Sequence, residues 1–124
     1  MRQELERIIE RYNDAWNRQD VDEIMSMHAP DMVFENHTAG ERAEGEAVRE
    51  HIAAIFRNTP SLRFTSRRLY VRDDLAVSEW TAHAEHDGRG IEWDGVDVFP
   101  FDQGLIKRKD VYSASHRPRT AGES

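Results

Sequence analysis

The second half of the sequence consists of four long runs with β-strand character, separated by short polar turns. The runs cover residues 62–72, 75–86, 90–101 and 105–115, and they follow directly on Pro60. The turns contain Asp73-Asp74, Asp87-Gly88 and Asp102-Gln103-Gly104, which are typical of β-hairpins. This pattern predicts a meander of long antiparallel strands.

The first half of the sequence has the periodicity of amphipathic helices. A first helix is predicted over 2–17, because its apolar residues recur at helical spacing: Leu5, Ile8, Ile9, Tyr12 and Trp16. Asp20 and Glu23 form a capping-box pattern that opens a short second helix, which runs through His28 and is closed by Pro30. His28 is expected on its buried face, as a core histidine.

A third helix is predicted between the second helix and the first long strand. Val48, Ile52, Ile55 and Phe56 lie at helical spacing, and the helix is expected to end near residues 58–60. A short strand over 32–35 and a polar loop over 37–45 precede it. Three helices followed by a strand meander indicate an α+β domain over residues 1–116, with a flexible tail over 117–124.

The amino-acid composition excludes some kinds of chemistry and disfavours some classes of binding partner. The chain has no cysteine, which excludes disulfides and thiol catalysis and favours a cytoplasmic location. The formal net charge of -7 disfavours nucleic acid as a partner. No apolar run is long enough to span a bilayer, so no membrane association is expected. The histidines show no ligand spacing, and neither a metal nor a cofactor is predicted.

Asp97 is a lone carboxylate on an otherwise apolar strand face. With a period of two, that face comprises Ile91, Trp93, Gly95, Asp97, Phe99 and Phe101. An ionised carboxylate removed from water is costly, so such a group is paired, protonated or part of a functional site. We expect a pocket in front of Asp97, because the preceding strand offers small residues beside Trp80. The alternative is a structural aspartate satisfied by a backbone amide or a salt bridge.

Three segments resemble the nuclear-transport-factor-2-like superfamily, in particular ketosteroid isomerases and SnoaL-like polyketide cyclases. The segments are Tyr12-Asn13-Asp14-Ala15-Trp16-Asn17-Arg18-Gln19-Asp20, His28-Ala29-Pro30-Asp31, and Gly95-Val96-Asp97-Val98-Phe99 followed by Asp102-Gln103-Gly104-Leu105-Ile106. The resemblance covers about residues 4–115. It implies a cone-shaped α+β barrel, with three N-terminal helices packed on a strongly curved antiparallel sheet.

The resemblance also implies roles for individual residues. Tyr12 and Asp97 match the tyrosine and the protonated aspartate that form the oxyanion hole of ketosteroid isomerases. Asn36 stands at the position of the general base, and a neutral amide cannot abstract a proton. His37 is adjacent, although neighbouring residues of a strand point to opposite faces. The superfamily register places Lys109, Val111 and Ser113 in the cavity, whereas alternation alone leaves an outward Lys109 open.

These features predict a protein that binds a small hydrophobic, carbonyl-bearing molecule in an internal pocket. Asp97, Tyr12 and Lys109 are the predicted catalytic residues, for proton transfer of the isomerase, cyclase or lyase type. The predicted substrate-binding residues are Asn36, His37, Trp80, Trp93, Phe99 and Val111. The alternative is a non-catalytic ligand-binding or dimerisation domain of the same superfamily, which the amide at Asn36 favours. A homodimer is expected through the outer sheet face around Val96 and Val98.

Overall fold

The chain folds into three helices and a single curved sheet, as described by a computed structural model for residues 2–114 and 119–120. The helices are α1 (Arg2–Arg18), α2 (Val21–Ser26) and α3 (Ala47–Asn58). The strands are β1 (His28–Asn36), β2 (Glu41–Glu44), β3 (Arg63–Arg72), β4 (Leu75–His86), β5 (Arg89–Asp102), β6 (Leu105–Ser113) and β7 (Arg119–Thr120). The α+β class is therefore confirmed.

The sheet has the order β2-β1-β6-β5-β4-β3, and β7 pairs with β5. The strands β3, β4, β5 and β6 form the predicted antiparallel meander, connected by two-residue turns. Asp73, Asp87 and Gln103 begin these turns with positive φ, the conformation that tight hairpins with right-handed twist require.

Three features differ from the architecture predicted from sequence. The pairing of β1 with β6 is parallel, so the sheet is mixed. The helix α3 follows β1 and β2, in line with the strand predicted over 32–35 but unlike the uninterrupted N-terminal group of three helices that the resemblance implies. Among the described strands, the outer strands β2 and β3 do not pair with each other, so the sheet is open and does not close into a barrel.

Two local predictions in the first half are also corrected. The predicted loop over 37–45 contains β2, in which Glu41 pairs with Asn36 of β1. His28 begins β1 rather than ending the second helix, because α2 stops at Ser26. The predicted cap is present in part, since the Asp20 carboxylate accepts a hydrogen bond from the Glu23 amide at 3.1 Å.

The tail predicted over 117–124 is described only at Arg119–Thr120, which form β7. The other residues of that segment lie outside the described part of the chain, and the tail remains a prediction there. None of the helices in the described residues is long and apolar enough to cross a membrane.

The core lies between the helices and the inner face of the sheet, where α1 packs on β3 and β4. Tyr12 of α1 is fully buried and meets Phe99 of β5 edge-on, with ring centroids 5.4 Å apart. The alternation predicted for β4 is confirmed, because the small or aromatic residues of one face are buried: Ala76, Ser78, Trp80, Ala82 and Ala84. The inner face thus leaves space beside Trp80.

Candidate active site

A cavity of about 230 Å³ lies between α1, α3 and the inner face of the sheet. Its apolar wall comprises Trp16, Phe34, Ile55, Leu62, Phe64, Trp80, Trp93 and Val111. Its polar groups are Asn36, Glu41, Thr59, Asp97, Lys109 and Ser113. A mainly apolar wall with a few polar groups is typical of a site for a small organic ligand.

Two oppositely charged side chains meet at the deep end of this cavity. Lys109 of β6 and Asp97 of β5 are each 7% exposed, and the distance from Lys109 Nζ to Asp97 Oδ2 is 3.7 Å. The inward orientation of Lys109, which alternation alone left open, follows from the register that pairs Asp97 with Val111. Ladder partners share a face, and residues two apart on a strand do as well, so Lys109 shares the face of Asp97.

Burial sets the protonation of both groups. Removal from water raises the pKa of Asp97, and the neighbouring Lys109 and Trp80 side chains oppose that rise. Burial likewise lowers the pKa of Lys109, and Asp97 opposes that fall. Both shifts favour the uncharged forms, against the mutual attraction of the two charges. A pair of this kind is suited to proton transfer.

Aromatic rings as well as Asp97 lie around the Lys109 ammonium. Nζ lies 3.8 Å from the Trp16 ring centroid, and the other centroids within 6 Å belong to Tyr12, Phe34 and Phe99. Ring faces at these distances attract a cation. They compensate in part for the water that the amine loses on burial.

One oxygen of Asp97 has no partner among the described residues. Asp97 Oδ1 and the indole nitrogen of Trp80 are both buried without a hydrogen bond of normal geometry, although the two side chains are close enough for Trp80 to favour the ionised form of Asp97. Buried polar atoms are normally satisfied, so unpartnered atoms in a cavity wall are available to a ligand. A smaller hollow of about 20 Å³ lies behind the pair, between Asn13 and Trp80, and is large enough for one water molecule.

Gly95 fixes the position of Trp80 in the cavity wall. The two residues are partners in the pairing of β4 with β5, and a Cβ atom at Gly95 would overlap the six-membered ring of Trp80. The indole therefore lies flat across the backbone of β5, where a side chain would otherwise stand. This places the ring beside Asp97 and leaves the cavity open.

Six of the nine site residues predicted from sequence line the cavity: Asn36, Trp80, Trp93, Asp97, Lys109 and Val111. Their roles in binding or catalysis stay predictions. The other three, Tyr12, His37 and Phe99, do not line it. Phe99 is completely buried, because α1 covers that part of β5.

Tyr12 occupies the core instead of the cavity wall. Its hydroxyl shares a hydrogen bond of 2.9 Å with Nε2 of His28, not with Asp97. Burial raises the pKa of Tyr12 well above its usual value, so the hydroxyl keeps its proton. In this structure Tyr12 contributes a ring face to the surroundings of Lys109, and its predicted direct contact with a ligand is not supported.

His37 lies on the outer side of the sheet. Its Nε2 is 2.9 Å from Asp110, and its ring stacks on Tyr112 with centroids 4.5 Å apart. Glu35, His37 and Asp110 present possible metal-ligating atoms within 4.8 Å of one another. Arg108 bonds to both carboxylates, at 3.1 Å and 2.8 Å, and already compensates their charge.

Glu41 is a site residue that the sequence analysis missed. It lies on β2 directly opposite Asn36, and both residues line the cavity. The Asn36 oxygen accepts hydrogen bonds from the amides of Thr38 and Ala39, so that side chain shapes the turn between β1 and β2. The carboxylate near the position expected for a base is therefore that of Glu41. The run Glu41–Glu44 has no alternation, and only its pairing with β1 reveals it as a strand.

The fold and the enclosed polar pair define a class of small α+β proteins with an internal ligand-sized cavity. The chain belongs to the SnoaL-like domain family, whose model matches residues 9–109. The resemblance to nuclear-transport-factor-2-like and ketosteroid isomerase-like proteins is thereby confirmed, together with its SnoaL-like branch. No curated protein matches the chain.

Solved structures show the same fold at low sequence identity. SalBIII, an epoxide hydrolase/cyclase-like enzyme of pyran ring formation in the polyether salinomycin, has a TM-score of 0.83 and 20% identity, covering 95% of this chain and 96% of its own. A provisional ketosteroid isomerase from Kribbella flavida has a TM-score of 0.76 and 18% identity, with 93% and 81% covered. An NTF-2 like protein from Burkholderia xenovorans has a TM-score of 0.71 and 19% identity, with 93% and 86% covered.

Proposed function

We propose that this protein binds a small hydrophobic molecule bearing a carbonyl group and catalyses proton transfer on it, with the carbonyl oxygen held at the Asp97–Lys109 pair. The reaction class is isomerisation, cyclisation or a lyase-type step that begins with proton abstraction beside a carbonyl. The observation that carries the proposal is the buried acid–amine pair at the end of an apolar cavity, with Asp97 Oδ1 unpartnered.

The size of the cavity limits the ligand. Pockets for drug-sized ligands typically measure roughly 300–1,000 Å³, whereas this cavity measures about 230 Å³. We infer a ligand of one or two rings, or a longer one that extends through the mouth past Glu41. In this proposal the inner side of the sheet and the helices enclose the space as a cone, with Trp80 and Trp93 as its apolar walls.

In this proposal Asp97 is the hydrogen-bond donor to the oxyanion and Glu41 is the general base. Asp97 in its uncharged form donates a hydrogen bond to the carbonyl oxygen and stabilises the developing oxyanion. Glu41 at the mouth accepts a proton from the carbon beside that carbonyl. Lys109 adjusts the proton affinity of Asp97. The epoxide chemistry named for SalBIII is not carried over, because a likeness at 20% identity shows the fold alone.

The α-protons of 2-tetralone, a two-ring ketone, provide a test of this function. The wild-type protein is expected to accelerate their exchange in deuterium oxide, followed by proton NMR. Asp97→Asn keeps the shape of the side chain and removes its acid, so the accelerated rate should fall by about 10²-fold or more. Glu41→Gln should also lower it. Asp102→Asn, at the exposed end of the same strand, is the matched control and should leave the rate unchanged.

Two outcomes would contradict the proposal. If the Asp97→Asn protein keeps the full exchange rate and differs only in a lower melting temperature, Asp97 is a structural residue and has no catalytic role. If the wild-type protein binds 2-tetralone without accelerating exchange, the protein is a non-catalytic binding domain. The loop-shaping hydrogen bonds of Asn36 favour that second function, because they give Asn36 a structural role and leave the carboxylate of Glu41 as the nearest base.

A further inference from the structure

The chain contains only two lysines, Lys107 and Lys109, beside fifteen arginines. Lys107 is exposed on β6, whereas Lys109 is buried at the end of the cavity. Nearly every positive charge of the protein is therefore a guanidinium, which cannot act as an amine nucleophile at ordinary pH. Among the residues whose burial is described, the buried cation at Lys109 is a primary amine, which can. This choice of residue at a buried position in the cavity wall needs a chemical reason.

We propose that the Lys109 amine forms a covalent imine with an aldehyde or ketone bound in the cavity. This would be a further activity of the site, because proton transfer alone needs no bond to nitrogen. The inference rests on the proposed function in one respect, namely that the cavity admits a carbonyl compound. Its geometric basis is that Lys109 lines the cavity, and that its Nζ lies 3.7 Å from a carboxyl oxygen and within 6 Å of four ring centroids.

The Asp97 carboxyl group supplies both proton transfers that the condensation requires. A proton passes from the Lys109 ammonium to Asp97, which leaves a neutral amine and a carboxylic acid. The amine nitrogen attacks the carbonyl carbon, and the carbonyl oxygen takes the proton of Asp97. The carboxylate then accepts a proton from nitrogen and returns it to the hydroxyl, which leaves as water while the C=N bond forms. The products are one imine and one water molecule, so no co-reactant is needed.

The surroundings of Nζ stabilise the product as well as the starting amine. A protonated imine carries its positive charge on the same nitrogen as the lysine ammonium. The Trp16 ring at 3.8 Å and the Tyr12 ring at 5.0 Å can therefore attract either cation. Burial lowers the pKa of Lys109, which increases the fraction of free amine near neutral pH. The apolar wall also keeps bulk water from hydrolysing the imine.

Reductive trapping with benzaldehyde and sodium cyanoborohydride tests the inference on the full chain. The hydride reduces any imine to a stable benzyl amine, which intact mass and peptide mapping locate. Lys109 is expected to be benzylated at an initial rate at least about tenfold above that of Lys107, since burial lowers the pKa of Lys109 and the cavity binds the aldehyde beside it. Lys107 is the internal control, because it belongs to the same strand and is exposed. Lys109→Arg should remove the fast label, and Lys107→Arg should retain it.

A binding measurement with benzyl alcohol shows whether a negative labelling result contradicts the imine inference alone or the proposed function as well. The alcohol has the size of the aldehyde but cannot form an imine, and tryptophan fluorescence reports its entry beside Trp80. If the alcohol binds and Lys109 is labelled no faster than Lys107, the imine inference is overturned and the binding site stands. If neither probe enters the cavity, both proposals fail. Peptide mapping of the wild-type protein keeps the test valid even where Lys109→Arg does not fold.

Discussion

His28 is a buried imidazole whose neutral form the fold requires. It is 7% exposed at the start of β1, its Nε2 bonds to the Tyr12 hydroxyl, and its Nδ1 has no partner among the described residues. Burial, and secondly the charge of Lys109, lower the pKa of His28 to about 3. The unfolded chain has the ordinary value of about 6.5. Between these two values the unfolded state binds the extra proton, so stability is full above pH 6.5 and declines as the pH falls.

We expect the free energy of unfolding to drop by on the order of 3 kcal/mol between about pH 7 and about pH 4 through His28 alone. His28→Gln keeps a hydrogen-bonding group near Tyr12 and does not titrate, so its stability should depend less on pH. Urea unfolding at several pH values measures this difference. His86→Gln, at the exposed end of β4, should retain the wild-type dependence. Equal slopes for His28→Gln and the wild type would show that His28 is not held neutral.

At the scale of elements, one amide side chain joins the first helix to the edge of the sheet. Asn17 of α1 donates to the Phe64 carbonyl at 2.9 Å and accepts from the Phe64 amide at 2.8 Å. The strand β3 pairs with β4 along one side only, so its other side has unpaired backbone groups. Asn17 satisfies two of them. It thereby fixes α1 over the sheet and positions the Phe64 ring in the cavity wall.

Asn17→Ala should destabilise the protein by about 1–3 kcal/mol, because it leaves the amide and carbonyl of Phe64 without partners. Thermal or urea unfolding gives this value, and hydrogen exchange at the Phe64 amide should accelerate. Asn13→Ala removes a weaker, exposed contact to Ser66 at 3.4 Å one turn earlier on α1. It is expected to cost much less. Equal losses for the two variants would refute the special role of Asn17.

The accuracy of the sequence predictions follows the strength of each periodic signal. The apolar stripe of α1 and the alternation of β4 and β5 are long, and all three elements were predicted nearly to their ends. The strand β2 was missed because its four residues are mostly charged and it exists only through pairing with β1. His28 was placed on a helix because the Pro30 stop signal lies beyond the point where α2 ends.

Individual site residues were harder to predict than elements. Periodicity shows that Tyr12 and Asp97 both point inward, but it does not distinguish the core from the cavity, which share one face. That distinction depends on how α1 lies across β5, and this is set by contacts far apart in the sequence. His37 illustrates the same limit, because the face it occupies follows from the parallel pairing of β1 with β6.

At the scale of the whole molecule, the outer side of the sheet has an apolar part and an ionic part. Tyr70 of β3 pairs with Val77 of β4, and Val77 pairs with Val98 of β5, so three apolar residues form a row across neighbouring strands. Tyr70 is 52% exposed. The strand partner of Val98 on β6 is Asp110, where the apolar row ends. The Asp110 carboxylate forms hydrogen bonds with Arg108 and His37. Such a surface can place apolar groups of two copies together while their charged groups form the rim.

We propose a homodimer through this outer face, centred on Val98. The wild-type chain of 14.4 kDa should elute at twice that mass in light scattering at micromolar concentration. Val98→Glu places a charge in the middle of the apolar row, where a dimer would remove it from water, and should convert the dimer to monomer. Gln103→Glu adds the same charge in the exposed turn between β5 and β6, and should leave the dimer intact. A wild-type monomer at that concentration, or a Val98→Glu variant that remains dimeric, would exclude this face as the interface.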